Sequence, residues 1–90
     1  MTLATIAEKL NLPLAEVKKE SIKHYLERKL LETETELFVL ASKYNTAGIK
    51  ELDNLIKTGK VHETAETRED FFEIDSLETR RNLLKKIIKS

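Results

Sequence analysis

The residues able to do catalytic or metal chemistry are few in this chain and lie far apart. Among 90 residues there are two histidines, His24 and His62, and no cysteine. Neither histidine belongs to a nucleophile–base pattern or to a metal-ligand spacing signature, and no glycine-rich loop is available to hold a phosphate. We therefore predict a protein that is not an enzyme and has no catalytic residue, no metal, no cofactor and no small-molecule substrate.

The charges of the chain sum to zero but are unevenly distributed. There are 16 basic and 16 acidic residues, with a net charge of +2 over residues 1–30, −7 over residues 31–79 and +5 over residues 80–90. A net charge of zero does not indicate bulk attraction to nucleic acid or to an anionic membrane. The distribution of charge is therefore more informative than the total.

The segment from Glu63 to Glu78 holds seven acids and a single Arg. Acids near a helix N-terminus each stabilise the helix by about 0.3–1 kcal/mol, which is one explanation of the pattern. The other is an amphipathic surface for a basic partner. Phe71 and Phe72 cannot both face one narrow seam, because neighbours on a helix differ by about 100°. The predicted partner-binding residues are Phe71, Phe72, Ile74, Leu77, Glu69, Asp70 and Glu73.

Lysines near the N-terminus are the candidates for contact with nucleic acid. If DNA is bound, Lys18, Lys19 and Lys23 are predicted to contact its phosphates, with Lys9 nearby. A DNA-binding protein typically neutralises about six to ten phosphates, and these lysines reach that count only in a dimer. The alternative is that they solubilise an exposed helix face, since glutamates lie among them.

The composition indicates that helices position these residues. Two glycines and one proline leave few sites for tight turns, and the abundance of Ala, Leu, Glu, Lys and Arg favours helix over sheet. No apolar run approaches the roughly 18 residues of a membrane span, and the N-terminus lacks a basic leader. We expect an all-α, cytoplasmic protein that does not contact a membrane.

A short helix is predicted at the N-terminus. Its apolar residues share one face: Leu3, Ile6, Ala7 and Leu10. Asn11 tolerates the left-handed conformation that ends a helix, and Pro13 fits the first turn of the next helix. That second helix meets no breaker before Asn45.

The second helix carries a heptad-like apolar seam. Positions 15, 19, 22, 26, 30, 33, 37, 40 and 44 step by alternating fours and threes, and seven of the nine are apolar. The seam extends over roughly 45 Å at the helical rise. A helix of this length cannot bury its stripe alone, so a partner helix from its own chain or from a second chain must cover it.

Two further helices are predicted to complete a hairpin. Asn45 or Thr46 is expected to cap a third helix that ends at Gly59, and Thr64 or Thr67 to cap a fourth. The seam of the fourth helix reads Ile74, Leu77, Arg81, Leu84 and Ile88. We predict that the fourth helix packs antiparallel along the second, with the third as the turn. The expected result is one helical domain over residues 1–90, with a head at 1–30 and a hairpin at 31–90.

The first third of the chain resembles two kinds of DNA-binding unit. A short helix, a tight break and a second helix are shared by helix-turn-helix units, with Ala7 at the small-residue position, although Asn11 replaces the usual turn glycine. The stretch AEVKKESIKHYL resembles the second helix of ribbon-helix-helix antitoxins and repressors. Its matching positions are Glu16, Val17, Glu20, Ser21, Ile22, Lys23, Tyr25 and Leu26. Pro13 and Lys18 depart from that pattern, and the segment from Met1 to Thr5 is too short for the β-strand of that family.

The ELDNLIKTGKV and FFEID segments also look like parts of small prokaryotic antitoxins. That resemblance implies an N-terminal dimerising or DNA-binding head and a C-terminal part that masks a toxin. We therefore expect an antitoxin-type interaction protein that forms a homodimer, binds a partner toxin and, if it binds DNA, regulates its own synthesis. The alternatives are a stand-alone DNA-binding transcriptional regulator and a helical scaffold or structural module.

Overall fold

Four helices and no strand make up the structure, a computed structural model that describes residues 1–90. The helices are α1 (Leu3–Leu10), α2 (Leu14–Lys43), α3 (Ile49–Lys57) and α4 (Ala65–Lys89), and they include 80% of the residues. α4 packs along α2, α3 packs on α4, and α1 packs on α2. The predicted all-α hairpin, with a short N-terminal helix and a short connecting helix, is confirmed. No helix combines the length and apolar character needed to cross a bilayer.

α1 has the predicted bounds and is capped at both ends. Thr2 Oγ1 accepts a hydrogen bond from Thr5 N–H at 3.1 Å. Asn11 ends the helix at a left-handed φ of 55° and ψ of 47°, as predicted. Ala7 is the buried residue of α1. Pro13 lies one position earlier than expected, because its extended ψ of 133° makes it the N-cap of α2 rather than part of the first turn.

The core lies where α2, α3 and α4 meet. Four buried side chains form it: Leu37, Leu52, Ile74 and Leu77. Half-buried side chains pack around these four: Leu40, Tyr44, Ile49, Ile56, Val61 and Phe71. Leu52 and Ile74 are 0% exposed, and full burial of such a side chain stabilises a fold by about 1.5–3 kcal/mol. Leu52 is the one buried residue of α3, so it anchors that short helix to the hairpin.

α4 covers the seam of α2 over part of its predicted length. The seam positions within Leu26–Tyr44 are buried or half-buried, whereas Ala15, Lys19 and Ile22 are exposed. The cause is geometric, because α4 ends at Lys89 and only its last turn lies beside this part of α2, where Ile87 and Ile88 share a pocket with Lys19 and Ile22. Within one chain the predicted seam is therefore covered at its last six positions, and coverage of the first three by a second chain stays a prediction. The seam predicted for α4 is buried or half-buried at all of its positions.

α3 does not begin at the residues that were predicted to cap it. The N-cap position is occupied by Gly48, which has no side chain to accept a hydrogen bond. Asn45 instead adopts a left-handed φ of 53° in the turn after α2, and Thr46 Oγ1 bonds the backbone of Gly48. The prediction of an Asn45 or Thr46 cap is therefore wrong. At the other end, Gly59 follows α3 with a φ of 77°, as predicted.

Glu78 of α4 supplies the missing cap of α3. Its Oε2 atom accepts a hydrogen bond from Ile49 N–H at 2.6 Å, and its Oε1 atom lies 3.8 Å from a guanidinium nitrogen of Arg81. Gly48 permits this approach, since a Cβ at that position would lie 3.0 Å from Glu78 Oε2. The carboxylate thus satisfies an orphan donor at a positive helix end and also ties α3 to α4.

α4 begins at one of the two predicted caps. Thr64 Oγ1 accepts a hydrogen bond from Thr67 N–H at 3.1 Å. The hydroxyl of Thr67 is buried and donates to the carbonyl of His62 at 2.8 Å. These bonds fix the direction in which the connector enters α4.

A polar network joins the end of α2 to the first turns of α4. Lys43 Nζ donates to Asp70 Oδ2 at 2.7 Å and also bonds Glu66, while Tyr44 Oη donates to the same Asp70 oxygen. The hydrogen bonds from Lys43 and Tyr44 lower the pKa of Asp70, and the bond to Asp70 raises the pKa of Lys43. Burial, followed by the bond to Asp70, raises the pKa of Tyr44. All three groups therefore keep the protonation states that hold the helices together.

Replacing Asp70 by Asn should destabilise the hairpin. The side chain is 18% exposed, and the variant loses the charge that Lys43 and Tyr44 bond. We expect the free energy of unfolding at pH 7 to fall by about 1–2 kcal/mol in urea denaturation. Asp75→Asn, at an exposed position of the same helix, should leave stability unchanged. An equal loss in both variants would contradict a specific role for Asp70.

The same network predicts an acid dependence of stability. Folding lowers the pKa of Asp70 below its ordinary value of 3.8, so the unfolded chain binds the proton more readily. The stabilisation that the ionised Asp70 gives to the fold is therefore complete above the ordinary pKa, and it is lost as the pH falls through the lower pKa of the folded state. Below about pH 4, the free energy of unfolding should fall more steeply for the natural chain than for Asp70→Asn. Parallel pH profiles of the two proteins would argue against this coupling.

Removing the carboxylate of Glu78 should release α3. We expect Glu78→Ala to lower the free energy of unfolding by about 1–2 kcal/mol, the range for a lost helix cap. Gly48→Ala should also destabilise the natural chain, because the added Cβ pushes the Glu78 carboxylate away. In a Glu78→Ala background, the same change should lower the free energy of unfolding by less. Glu73→Ala, at an exposed acid on the same helix, is the control. Additive effects of the Gly48 and Glu78 changes in urea denaturation would refute the contact.

Candidate functional site

The predicted partner-binding residues divide between the core and the surface. Ile74 is 0% exposed and Leu77 is 3% exposed, so both belong to the core cluster. Phe71 is half-buried and packs against that cluster. Ile74 therefore presents no side chain to a partner, and that part of the prediction is corrected, whereas Phe71 is only half-buried and Leu77 lines the groove described below. All three lie on the same three-and-four spacing that faces α2.

Phe71 and Phe72 point in different directions, as expected for neighbours on a helix. Their rings meet edge to face, with centroids 5.7 Å apart and planes at 82°. Phe72 is 67% exposed, so it remains available for contact with another molecule.

The three predicted acids also have different surroundings. Asp70 is engaged within the chain by Lys43 and Tyr44, a role in the fold that the sequence did not predict, and its role toward a partner stays a prediction. Glu69 and Glu73 are exposed. They are the acids of this set that keep a carboxylate free to face a partner.

An open groove of about 480 Å³ runs between α2 and α4. Its residues are Thr35, Glu36, Val39, Leu40, Lys43, Glu73 and Leu77, which we call the acidic groove. No α3 residue lines the acidic groove. The side chains of Val39, Leu40 and Leu77 make it apolar, while Glu36 and Glu73 stand on opposite helices. Its one cation, Lys43, is already paired with two carboxylates.

Sequence reasoning missed Val39 and Glu36. Val39 is 65% exposed although it neighbours the seam residue Leu40, and Glu36 lies one turn before Leu40 on the same helix. The sequence did contain a signal for Val39, because Val39 and Leu40 are adjacent apolar residues and neighbours on a helix cannot both face one seam. This argument was applied to Phe71 and Phe72 on α4 but not to α2. Phe38, at 72% exposure, lines a separate groove with Thr46, Ala47 and Arg81.

The hairpin brings two basic segments together at the end opposite α3. Lys19 and Lys23 of α2 line one pocket with Ile87, Ile88 and Ser90 of the last turn of α4. Lys18 is exposed on α2 but does not line this pocket. We define the basic end as the exposed lysines of the two segments: Lys18, Lys19, Lys23, Lys85, Lys86 and Lys89.

The basic end was foreseeable from two sequence observations taken together. The net charge of +5 over residues 80–90 and the antiparallel hairpin place the C-terminal lysines beside the N-terminal part of α2. Sequence reasoning had considered Lys18, Lys19 and Lys23, with Lys9 nearby, and had not joined them to the C-terminal lysines. The basic end adds three C-terminal lysines to the first three within a single chain.

The two histidines lie in different parts of the molecule. His24 is exposed on α2, with ring nitrogens 3.5 Å from a Glu20 oxygen and 3.8 Å from a Glu27 oxygen. His62 lies in the connector before α4, where its carbonyl accepts from Thr67. The structure therefore does not bring them together.

The head contains helices only. α1 packs on the first part of α2, and Ile6, Leu10, Leu12 and Val17 line a small groove between them. There is no strand, so the structure does not show the paired β-ribbon by which ribbon-helix-helix proteins read DNA. The helical part of that resemblance remains a prediction.

Comparisons with known proteins give a family and no described relative. No curated protein matches the chain, and no solved structure matches it. The Uncharacterized protein MJ0235 family matches residues 1–90. The match includes the head, the hairpin, the acidic groove and the basic end. The chain belongs to the Uncharacterized protein MJ0235 family.

Proposed function

We propose that this chain is an antitoxin-type interaction protein that binds a partner protein in the acidic groove and masks it. The observation that carries the proposal is an apolar groove between two helices with a carboxylate on each. Val39 is 65% exposed there, and Glu36 and Glu73 flank it from α2 and α4. A groove of this kind suits an amphipathic helix laid along it.

The charges of the groove define the chemistry of the partner. Lys43 is neutralised by Asp70 and Glu66, so Glu36 and Glu73 set the charge that an incoming segment meets. Glu69 is exposed one turn before Glu73 and extends the negative charge along α4. The fitting segment has two or three apolar anchors on one helix face and Lys or Arg beside them.

The proposed mechanism is occlusion rather than catalysis. Docking of a partner helix buries Val39 and removes water from Glu36 and Glu73. The lost hydration of these carboxylates is replaced by pairing with the partner's cations only if the partner helix docks in the correct register. The partner is inactivated because the docked segment is no longer free for its own target. No bond is made or broken in this step.

A single substitution in the acidic groove should weaken partner binding. We expect Val39→Lys to weaken capture of the partner by at least about tenfold, because the added lysine would repel the partner's cations and pair with the groove carboxylates in their place. The measurement is affinity capture of the tagged chain from its native host at physiological salt, with the retained protein weighed for its ratio to the bait. Phe38→Lys, at a similarly exposed residue of the same helix outside the groove, should retain the partner. Equal retention by both variants would contradict docking in the groove.

Masking predicts a growth phenotype. The captured partner, expressed without this chain, should arrest growth, and co-expression of the natural chain should restore it. Val39→Lys should fail to restore growth, whereas Phe38→Lys should succeed. A partner that is harmless when expressed alone would refute the antitoxin part of the proposal while leaving the binding itself in place.

A second function, DNA binding, is favoured by the basic end. Its six lysines in one chain meet the lower limit of about six phosphate contacts for a DNA-binding protein. The supporting observation is that Lys19 and Lys23 share a pocket with the last turn of α4. We infer a phosphate-contacting surface with little sequence preference, because no Arg or Asn at the basic end is placed for reading bases.

The two halves of the basic end should contribute equally to DNA affinity. Replacing Lys18, Lys19 and Lys23 by Ala should reduce the slope of log affinity against log salt concentration by about 2–3, and replacing Lys85, Lys86 and Lys89 should do the same. The control triple variant, with Lys50, Lys57 and Lys60 changed to Ala, removes the same charge elsewhere. The measurement is fluorescence anisotropy with a labelled duplex. A salt slope unchanged by either basic-end variant would eliminate this function.

A further inference from the structure

The outer face of α4 carries a second stripe, whose large apolar residues are exposed to solvent. Phe72 is 67%, Leu83 56% and Ile87 42% exposed, and they are the large exposed apolar residues of this helix. Phe72 lies two residues before the fully buried Ile74, which puts it roughly 200° round the helix and away from α2. We define the outer face as the residues Phe72, Ser76, Thr79 and Leu83. Ile87 lies at its edge and also lines the pocket shared with Lys19 and Lys23 of α2.

The spacing of the outer face is that of a helix–helix contact. Positions 72, 76, 79 and 83 step by four, three and four, the heptad pattern of a packed seam. The side chains in the middle of the stripe, Ser76 and Thr79, are small and exposed. The side chains at its two ends are large. Two such stripes laid antiparallel put the large end of one against the large end of the other and allow the backbones to approach at the centre.

The charges of α4 also favour an antiparallel arrangement. Residues 65–77 contain five acids and one Arg, whereas residues 78–89 contain five basic residues and one acid. A parallel pair would oppose acid to acid and base to base, while an antiparallel pair opposes unlike charges along its length. Glu69 and Lys86 border the stripe, and neither forms an ion pair within the chain.

The chain exposes more surface than a compact monomer of the same mass. The exposed area is 7050 Å² for a chain of 10.4 kDa, whereas monomeric proteins of that mass expose about 5400 Å². The radius of gyration is 19.0 Å, against about 12 Å for a compact chain of this length. A specific dimer of standard size buries about 800 Å² on each partner. The excess area accommodates such an interface.

We propose that the outer face of α4 is a homodimer interface, in which two copies of the chain pack α4 against α4 in antiparallel orientation. In this register Phe72 meets the partner subunit's Leu83, Ser76 meets the partner subunit's Thr79, and Glu69 lies beside the partner subunit's Lys86. The arrangement has two-fold symmetry, so each contact occurs twice. It differs from the dimerising N-terminal head that the antitoxin resemblance implies.

The apolar residues of the interface are independent of the proposed function. Partner binding uses Val39 and Glu36, and DNA binding uses the basic end, so only Glu69 and Lys86 belong both to the interface and to a proposed binding surface. The outer face of α4 shares no residue with the acidic groove. A variant of Leu83 can therefore lose the dimer and keep the partner, and a variant of Val39 can lose the partner and keep the dimer.

The test is the mass of the purified full-length chain by analytical ultracentrifugation over a concentration series. The natural chain should have twice its 10.4-kDa mass, and Leu83→Glu should raise the dimer dissociation constant by at least about tenfold. Leu31→Glu, at a residue of α2 that is 68% exposed, should remain a dimer. A monomeric natural chain, or a Leu83→Glu variant that stays dimeric, would overturn the proposal.

A charge exchange tests the orientation and does not depend on how Leu83→Glu folds. Glu69→Lys alone and Lys86→Glu alone should each weaken the dimer, and the double variant Glu69→Lys/Lys86→Glu should recover its affinity. In a parallel pair, residues 69 and 86 are far apart, so the double variant would recover nothing. Failure of the double variant to recover would refute the antiparallel register, and recovery would support it.

Discussion

Leu52 and Ile74 are the side chains on which the hairpin depends. They lie where α3 joins α2 and α4, which is the one region where three helices surround a common core. Toward the other end the molecule is two helices thick, and the seam residues there are only half-buried. Because local stability follows the number of buried apolar contacts, the end beside α3 is expected to hold while the basic end opens more readily. The packing of the two long helices is therefore stabilised mainly by a core that extends over a small part of their length.

Two acids of α4 explain how so short a core keeps its geometry. Asp70 ties α4 to the end of α2, and Glu78 ties α4 to the start of α3. Each carboxylate acts across an interhelical contact, so the three helices are linked by directional bonds as well as by apolar packing. Glu66 adds a further bond from α4 to Lys43 of α2, whereas Glu36, Glu69 and Glu73 have no such task and face solvent. The acids of α2 and α4 thus serve both the fold and the proposed interaction surface.

The elements could be predicted from the sequence because their signals are local. Asn11, Gly59 and Thr64 mark helix ends through their own conformational preferences or hydroxyl groups, and all three act as predicted. The cap of α3 could not be predicted in that way, since its acceptor, Glu78, comes from another helix and needs the hairpin to be folded. The site was harder for a related reason. Periodicity showed that Ile74 and Leu77 were apolar and aligned, but not whether the molecule or a partner covered them.

The antiparallel hairpin also gives the molecule a large electric dipole. A chain with no net charge has an excess of basic residues over residues 1–30 and 80–90 and an excess of acids over residues 31–79, along a body 61 Å long. In the field of a highly charged molecule, such a dipole experiences a torque before any contact forms. A polyanion therefore meets the lysines first, whereas a basic protein meets the acidic groove first. Neutral overall charge is in this way compatible with a preferred orientation of approach, which weakens as salt shortens the screening length.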